Sequence, residues 1–137
     1  MPEPKDNIAD LKEKFQKEHF ATAWGMKLLE LTPGYAKFSM KLKPEYQNFN
    51  GLTFGGIIMS IADMAFAYCV NSVNRPSVAI DFNTHFASPP KPDDELIAEG
   101  KVIKTGRRLS IAEMTVTDKD GKLIAKATGT TIRLERS

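Results

Sequence analysis

Asp63 is the only Asp, Glu, Lys or Arg between Tyr46 and Asn74, in a chain whose residues are 26% charged. A carboxylate held among apolar side chains is harder to ionise and therefore more basic, which suits a general base. Eight positions before it stands the pair Gly55-Gly56. A helix start offers free N–H groups and a positive dipole end, and glycine lets a substrate approach that backbone closely. Carboxylate and helix start together are the parts of a proton transfer that proceeds through an oxyanion. Each also has a plainer reading. Asp63 can be a structural carboxylate bonded to a neighbour. Gly55-Gly56 can be a tightly packed helix entry, and Asn48, a little upstream, a turn residue.

The elements that must position these residues follow from the hydrophobic pattern. Residues 6–21 read as an amphipathic helix with Ile8, Leu11 and Phe15 on one face and Asp6 as cap. Residues 26–32 and 35–43 read as a hairpin about Pro33-Gly34, the second strand setting Ala36, Phe38, Met40 and Leu42 against Lys37, Ser39, Lys41 and Lys43. Residues 45–54 are a connection rich in Asn, Gln and Gly. A helix then opens at Gly55 or Gly56 and runs to about Asn74, apolar almost all round and so covered on most sides. Strands follow over 77–88, 95–104, 108–117 and 122–134, with Val78, Ile80, Phe82 and Phe86 alternating in the first of them. Ala125, Ala127 and Gly129 make one face of the last strand small, so that a bulky neighbour can lie close against it. The order predicts an α+β domain in which one antiparallel sheet wraps one apolar helix, the late strands forming a three- or four-stranded meander.

Bulk properties narrow the function classes. A length of 137 residues fits a single domain, 1–137, with 1–24 as an N-terminal helical segment. Net charge is +2 with both signs interspersed, giving no footprint for nucleic acid or an anionic membrane. One cysteine, Cys69, and two histidines, His19 and His85, argue against a disulfide framework and a metal site. Residues 57–70 are too short for the ~20 residues of a membrane span and carry Asp63 at their centre. The polar start MPEPKDN does not read as a signal peptide, and a cytoplasmic protein is expected.

The segment Asn48-x5-Phe54-Gly55-Gly56-x6-Asp63 resembles the active-site signature of hotdog-fold acyl-CoA thioesterases. The nearest branch is the phenylacetate-degradation type of the 4-hydroxybenzoyl-CoA thioesterase superfamily. The later stretches SVAIDFNTHFASPPKPDDELIAEGKVIKTGRR and DGKLIAKATGT extend the resemblance over nearly the whole chain. It implies a curved antiparallel sheet wrapped around a long central helix. By the same resemblance Asn48 helps polarise the thioester carbonyl, the Gly55 N–H points at the oxyanion, and Asp63 is general base or nucleophile. Two positions depart from the pattern. Phe54 stands where the signature usually has His, and Ala79 where some relatives place a water-orienting Ser. Phe54, Gly56 and Ala79 are therefore expected to border the substrate.

Spacing adds a consequence. Gly55 and Asp63 are separated by about 12 Å along one helix, at ~1.5 Å per residue, too far for both to act within ~3 Å of one carbonyl. Two antiparallel copies of the helix bring Gly55 of one chain to Asp63 of the other. The expectation is a homodimer with shared sites; the resemblance also implies a dimer of dimers, a homotetramer. Lys91, Lys104, Arg107 and Arg108 lie in or beside turns and are candidates for the coenzyme A phosphates, solvated turn charge being the plainer account. The expected function is hydrolysis of an aryl- or medium-chain acyl-CoA, with no metal or redox cofactor. The alternative is a hotdog protein that binds acyl-CoA without hydrolysing it, which Phe54 and Ala79 favour.

Overall fold

The computed structural model describes residues 4–135; residues 1–3 and 136–137 of the expected domain lie outside the described residues. Helices α1 (Pro4–Phe15) and α2 (His19–Ala23) precede the hairpin β1 (Met26–Thr32) and β2 (Tyr35–Lys41). A 3-10 turn and a loop lead to α3 (Gly55–Asn71). Strands β3 (Ser77–Phe86), β4 (Glu95–Thr105), β5 (Leu109–Thr117) and β6 (Leu123–Arg133) complete the chain. The strands form one antiparallel sheet in the order β1-β2-β4-β5-β6-β3. The meander is three-stranded, β4-β5-β6, and β3 lies beyond it at an edge.

Helix α3 touches every strand of this sheet. Its packed face is Ile57, Ile58, Ile61, Ala62, Ala65, Phe66, Tyr68, Cys69 and Val70, all buried. Fully burying each large aliphatic or aromatic side chain here stabilises by roughly 1.5–3 kcal/mol. The approach is closest where the sheet offers no side chain. A Cβ on Gly100 of β4 would lie 2.7 Å from the Ala65 carbonyl oxygen, and one on Gly129 of β6 would lie 2.5 Å from the Phe66 ring. The small face of β6 thus receives the central helix, as its composition predicts. Cys69, fully buried on that face, has its thiol pKa pushed up to about 12 by burial and is a core residue.

Three details differ from the sequence pattern. The helix expected over 6–21 is two helices. Pro4 starts the first, so Asp6 sits in its first turn instead of capping it. The break falls at Glu18, whose extended backbone lets its carboxylate accept from the Tyr68 hydroxyl on α3. Helix α3 ends at Asn71, although backbone bonds from Ser72 to Tyr68 O (3.0 Å) and from Asn74 to Val70 O (2.8 Å) carry the turn on, and side chains add to them. Ser72 Oγ donates to Cys69 O (2.6 Å), and Asn74 Nδ2 donates to Ser110 Oγ (3.2 Å). Arg75 then ties this corner to α1, donating to Asp10 Oδ2 (2.7 Å) and Asn7 Oδ1 (2.9 Å).

The third difference is in β3. Ala79 pairs with Thr131 and Asp81 with Thr130, so two steps along β3 match one along β6. This bulge inverts the facing of the strand. Phe82 faces inward, its ring 5.7 Å from that of Phe66, whereas Val78 pairs with Ile132 in the opposite phase. Val78, Ile80, Phe82 and Phe86 therefore do not form the single core face that simple alternation predicts. Val78, Ile80 and Phe86 are exposed in the chain.

Candidate active site

The loop 45–54 is folded by its own polar groups. Asn48 Oδ1 accepts from the N–H of Asn50 (2.9 Å) and Leu52 (3.3 Å), closing a tight turn in which Gly51 takes a positive φ of 73°. With Oδ1 committed, Nδ2 is the polar atom Asn48 has left to offer, and it is a donor. Phe54 N–H donates to Tyr46 O (2.8 Å), which fixes where α3 begins.

Phe54 occupies the N-cap position of α3 and supplies no side-chain cap. Ile57 N–H donates back to Phe54 O (2.9 Å). The Gly55 and Gly56 N–H groups have no acceptor among the described residues. Two aromatic rings flank them. A Cβ on Gly55 would lie 3.2 Å from the Phe86 ring, and one on Gly56 would lie 2.5 Å from the Phe54 ring. A side chain at Gly56 would displace the Phe54 ring, and one at Gly55 would press on the Phe86 ring. Phe86 was missing from the sequence expectations as a site residue, because alternation assigns it to the core. The small residue pair opposite it, Gly55-Gly56, was the available signal.

Asp63 lies two turns further along α3, on the one stripe the sheet leaves uncovered. Gly56, Ser60, Asp63 and Ala67 follow one another at spacings of four and three, with Met59 beside them. Met59, Asp63 and Ala67 are exposed in the single chain. The helix is therefore less enclosed than its composition predicts. The Asp63 carboxyl still has enough protein around it that desolvation raises its pKa above the usual carboxylate value. Its exposure in the single chain limits this shift.

The remaining expected residues fall at two ends of the sheet. Lys91 follows β3 at the glycine end of α3 and is exposed. Lys104, Arg107 and Arg108 are exposed about the β4–β5 turn at the opposite end, where Asn74 Nδ2 reaches Gly106 O (3.3 Å). One chain does not bring these four cations together. Ala79 lies in the exposed first half of β3, beside its bulge. Among the described residues no cluster of His, Cys, Asp and Glu is arranged to hold a metal ion. No helix among them is long and apolar enough to cross a membrane.

Residues 50–125 match the family model described as the thioesterase superfamily. This chain belongs to that superfamily. The match takes in Gly55, Asp63 and Phe86, and leaves out α1, α2, β1 and β2. An Archaeoglobus fulgidus protein bearing an esterase name is 36% identical to this thioesterase over 79% of this chain and 70% of its own. The acyl-coenzyme A thioesterase PaaI of Escherichia coli is 26% identical over 88% and 86%. The solved structure of the Escherichia coli PaaI protein, from the phenylacetic acid degradation operon, superposes with a TM-score of 0.89. That superposition covers 98% of this chain and 95% of the other at 24% identity. The thioesterase has the hotdog fold expected from its sequence.

Proposed function

We propose that this thioesterase hydrolyses an aryl- or medium-chain acyl-CoA in sites shared between two subunits. The observation that carries this reading is an uncapped helix start with free glycine N–H groups, followed eight residues on by a lone carboxylate on the helix's uncovered stripe. The Gly55 N–H and Asn48 Nδ2 hold the carbonyl oxygen of the thioester. Asp63 of the second subunit acts on the carbonyl carbon, through water or directly. In the water route the carboxylate takes a proton as the water oxygen bonds to carbon. The oxyanion then collapses, the C–S bond breaks, and the proton passes to the departing sulfur. Acid and coenzyme A thiol are the products. Every step uses protein groups and water, so the reading includes no metal or redox cofactor. A cytoplasmic location belongs to the same reading.

Two subunits are supported by the free edge of β3 beside the uncovered stripe of α3. That edge strand is long and exposes Val78 and Ile80, features of a strand that pairs with another chain. Antiparallel pairing of two β3 edges sets the Gly55 end of one subunit beside the Arg107-Arg108 turn of the other. The coenzyme A phosphates then lie between Lys91 of one chain and Lys104, Arg107 and Arg108 of the other. A dimer of dimers extends the same assembly.

A thioester panel with a thiol-trapping reagent tests the activity. Asp63→Asn should lower turnover by about 10²–10⁴ while the oligomer persists. Coenzyme A binding with no thiol release by the native protein would favour the non-hydrolysing binder, for which the apolar Phe54 and Ala79 speak. Sharing is tested by mixing Asp63→Asn with Asn48→Ala subunits. Half of randomly mixed dimers are hybrids with one intact site of two, so about a quarter of native activity returns. No recovery in verified hybrids would place each site within one chain.

A further inference from the structure

A cavity of about 410 Å³ opens beside the carbonyl-holding end of the site. It is lined by Trp24, Glu45, Tyr46, Gln47, Asn48, Phe54 and Ile57, so three aromatic rings share the lining with the polar Glu45 and Gln47. The Trp24 and Tyr46 rings are stacked, with centroids 5.9 Å apart and planes inclined by 25°. The Tyr46 hydroxyl donates to the Trp24 carbonyl (3.3 Å), which locks this pair together. Phe20 of α2 backs Trp24 at 4.8 Å. Three aromatic rings in a row thus run from the N-terminal segment to the loop that carries Asn48. Phe54 also lines the cavity, and its ring lies over Gly56.

We infer that this cavity receives the acyl group of the thioester, and that Trp24 and Tyr46 make it selective for flat aryl groups over alkyl chains. The inference rests on the thioesterase reading above. A thioester carbonyl held by Asn48 and Gly55 has two branches. The acyl group and the pantetheine arm both begin at the thioester, but the arm is a flexible amide chain, whereas the Trp24, Tyr46 and Phe54 rings suit a flat apolar guest. The acyl branch is therefore the one assigned to the cavity. Ring walls favour a planar aromatic guest through offset and edge contacts that a flexible chain does not make. A straight chain also loses more rotational freedom on entering the cavity. Trp24 and Tyr46 lie outside residues 50–125, the span that carries the superfamily match.

Trp24 is the only tryptophan in the chain, so its fluorescence reads this cavity without any turnover. Asp63→Asn protein titrated with benzoyl-CoA should show a saturable change in Trp24 emission, with hexanoyl-CoA weaker and free coenzyme A without effect. In active protein, Trp24→Leu should lower the benzoyl-to-hexanoyl ratio of kcat/KM about tenfold, mainly through KM. That factor corresponds to about 1.4 kcal/mol. Tyr46→Leu should move the ratio the same way. A ratio is independent of the folded fraction, so a partly unfolded variant still reports. An unchanged ratio in both variants overturns the inference, as does an emission change that coenzyme A alone reproduces. If no thioester is turned over by native protein, the thioesterase reading fails; the titration still decides whether the cavity takes the aryl group.

Discussion

At the scale of single residues, Asp63 combines its proposed role as base with a cost to the fold. Desolvation raises its pKa. The carboxylate is the active form, so kcat/KM should fall on the acid side with a midpoint above the ordinary aspartate value of about 3.9. A midpoint at or below that value would contradict the role assigned to Asp63. The linked effect on stability has the opposite sense. A raised folded-state pKa means the native protein binds this proton more tightly than the unfolded chain. The stabilisation is complete below the unfolded pKa and is lost as pH rises through the folded one. Asp63→Asn should therefore unfold at a slightly higher temperature than native protein at neutral pH, the gap closing near pH 3. The gap is small because the group reaches solvent, where screening discounts such effects. Asp63 stands out in the sequence as the lone charge of an apolar segment, whereas Gly55 and Asn48 become candidates through the resemblance to the thioesterase signature. Phe86 was not legible as a site residue, since a phenylalanine in an alternating strand reads as core. It keeps the inward facing of Phe82, and its place over Gly55 at the end of β3 is a tertiary contact that no residue type announces.

At the scale of elements, the site is placed by how deeply α3 sinks into the sheet. Gly100 sets this depth on β4. A Cβ there would meet the backbone carbonyl of Ala65 at 2.7 Å and the Cys69 sulfur at 3.0 Å. Helix backbone cannot swing aside as a flexible side chain can. Gly100→Ala should cost about 1–3 kcal/mol in denaturant unfolding, the range typical of overpacked cores. Turnover per folded molecule should fall as well, because a displaced α3 carries Gly55 and Asp63 with it. Stability within 0.5 kcal/mol of native, roughly the surface-substitution range, would show that α3 is not seated there. Periodicity located the strands and α3 because burial on one face leaves a regular mark. It missed the break between α1 and α2, which is decided by a contact between Glu18 and Tyr68, fifty positions apart in the chain. The order of strands beyond the hairpin was equally hidden, since β3 joins the sheet beside the last strand rather than the next.

At the scale of the whole molecule, the exposed stripe of α3 and the free edge of β3 form one continuous problem for a lone chain. Ile80 at the β3 bulge is 58% exposed, Val78 44% and Phe86 52%, next to a helix face that carries the Asp63 carboxylate. Apolar residues scattered singly over a surface are ordinary, but these share one edge strand. Composition predicted an α3 covered on most sides, and one chain leaves a stripe open. The proposed assembly reconciles the two: in it a second copy covers the stripe and brings its own Gly55 toward Asp63. Ile80→Lys places a charge on this edge, the device by which natural sheets prevent pairing. The variant should sediment as a smaller species than native protein and lose hydrolysis in the same proportion as it loses assembly. Raising its concentration until the larger species returns should restore activity in parallel. An Ile80→Lys monomer with native turnover would separate catalysis from assembly. Each site would then lie within one chain, and the roughly 12 Å between Gly55 and Asp63 along α3 would need another explanation.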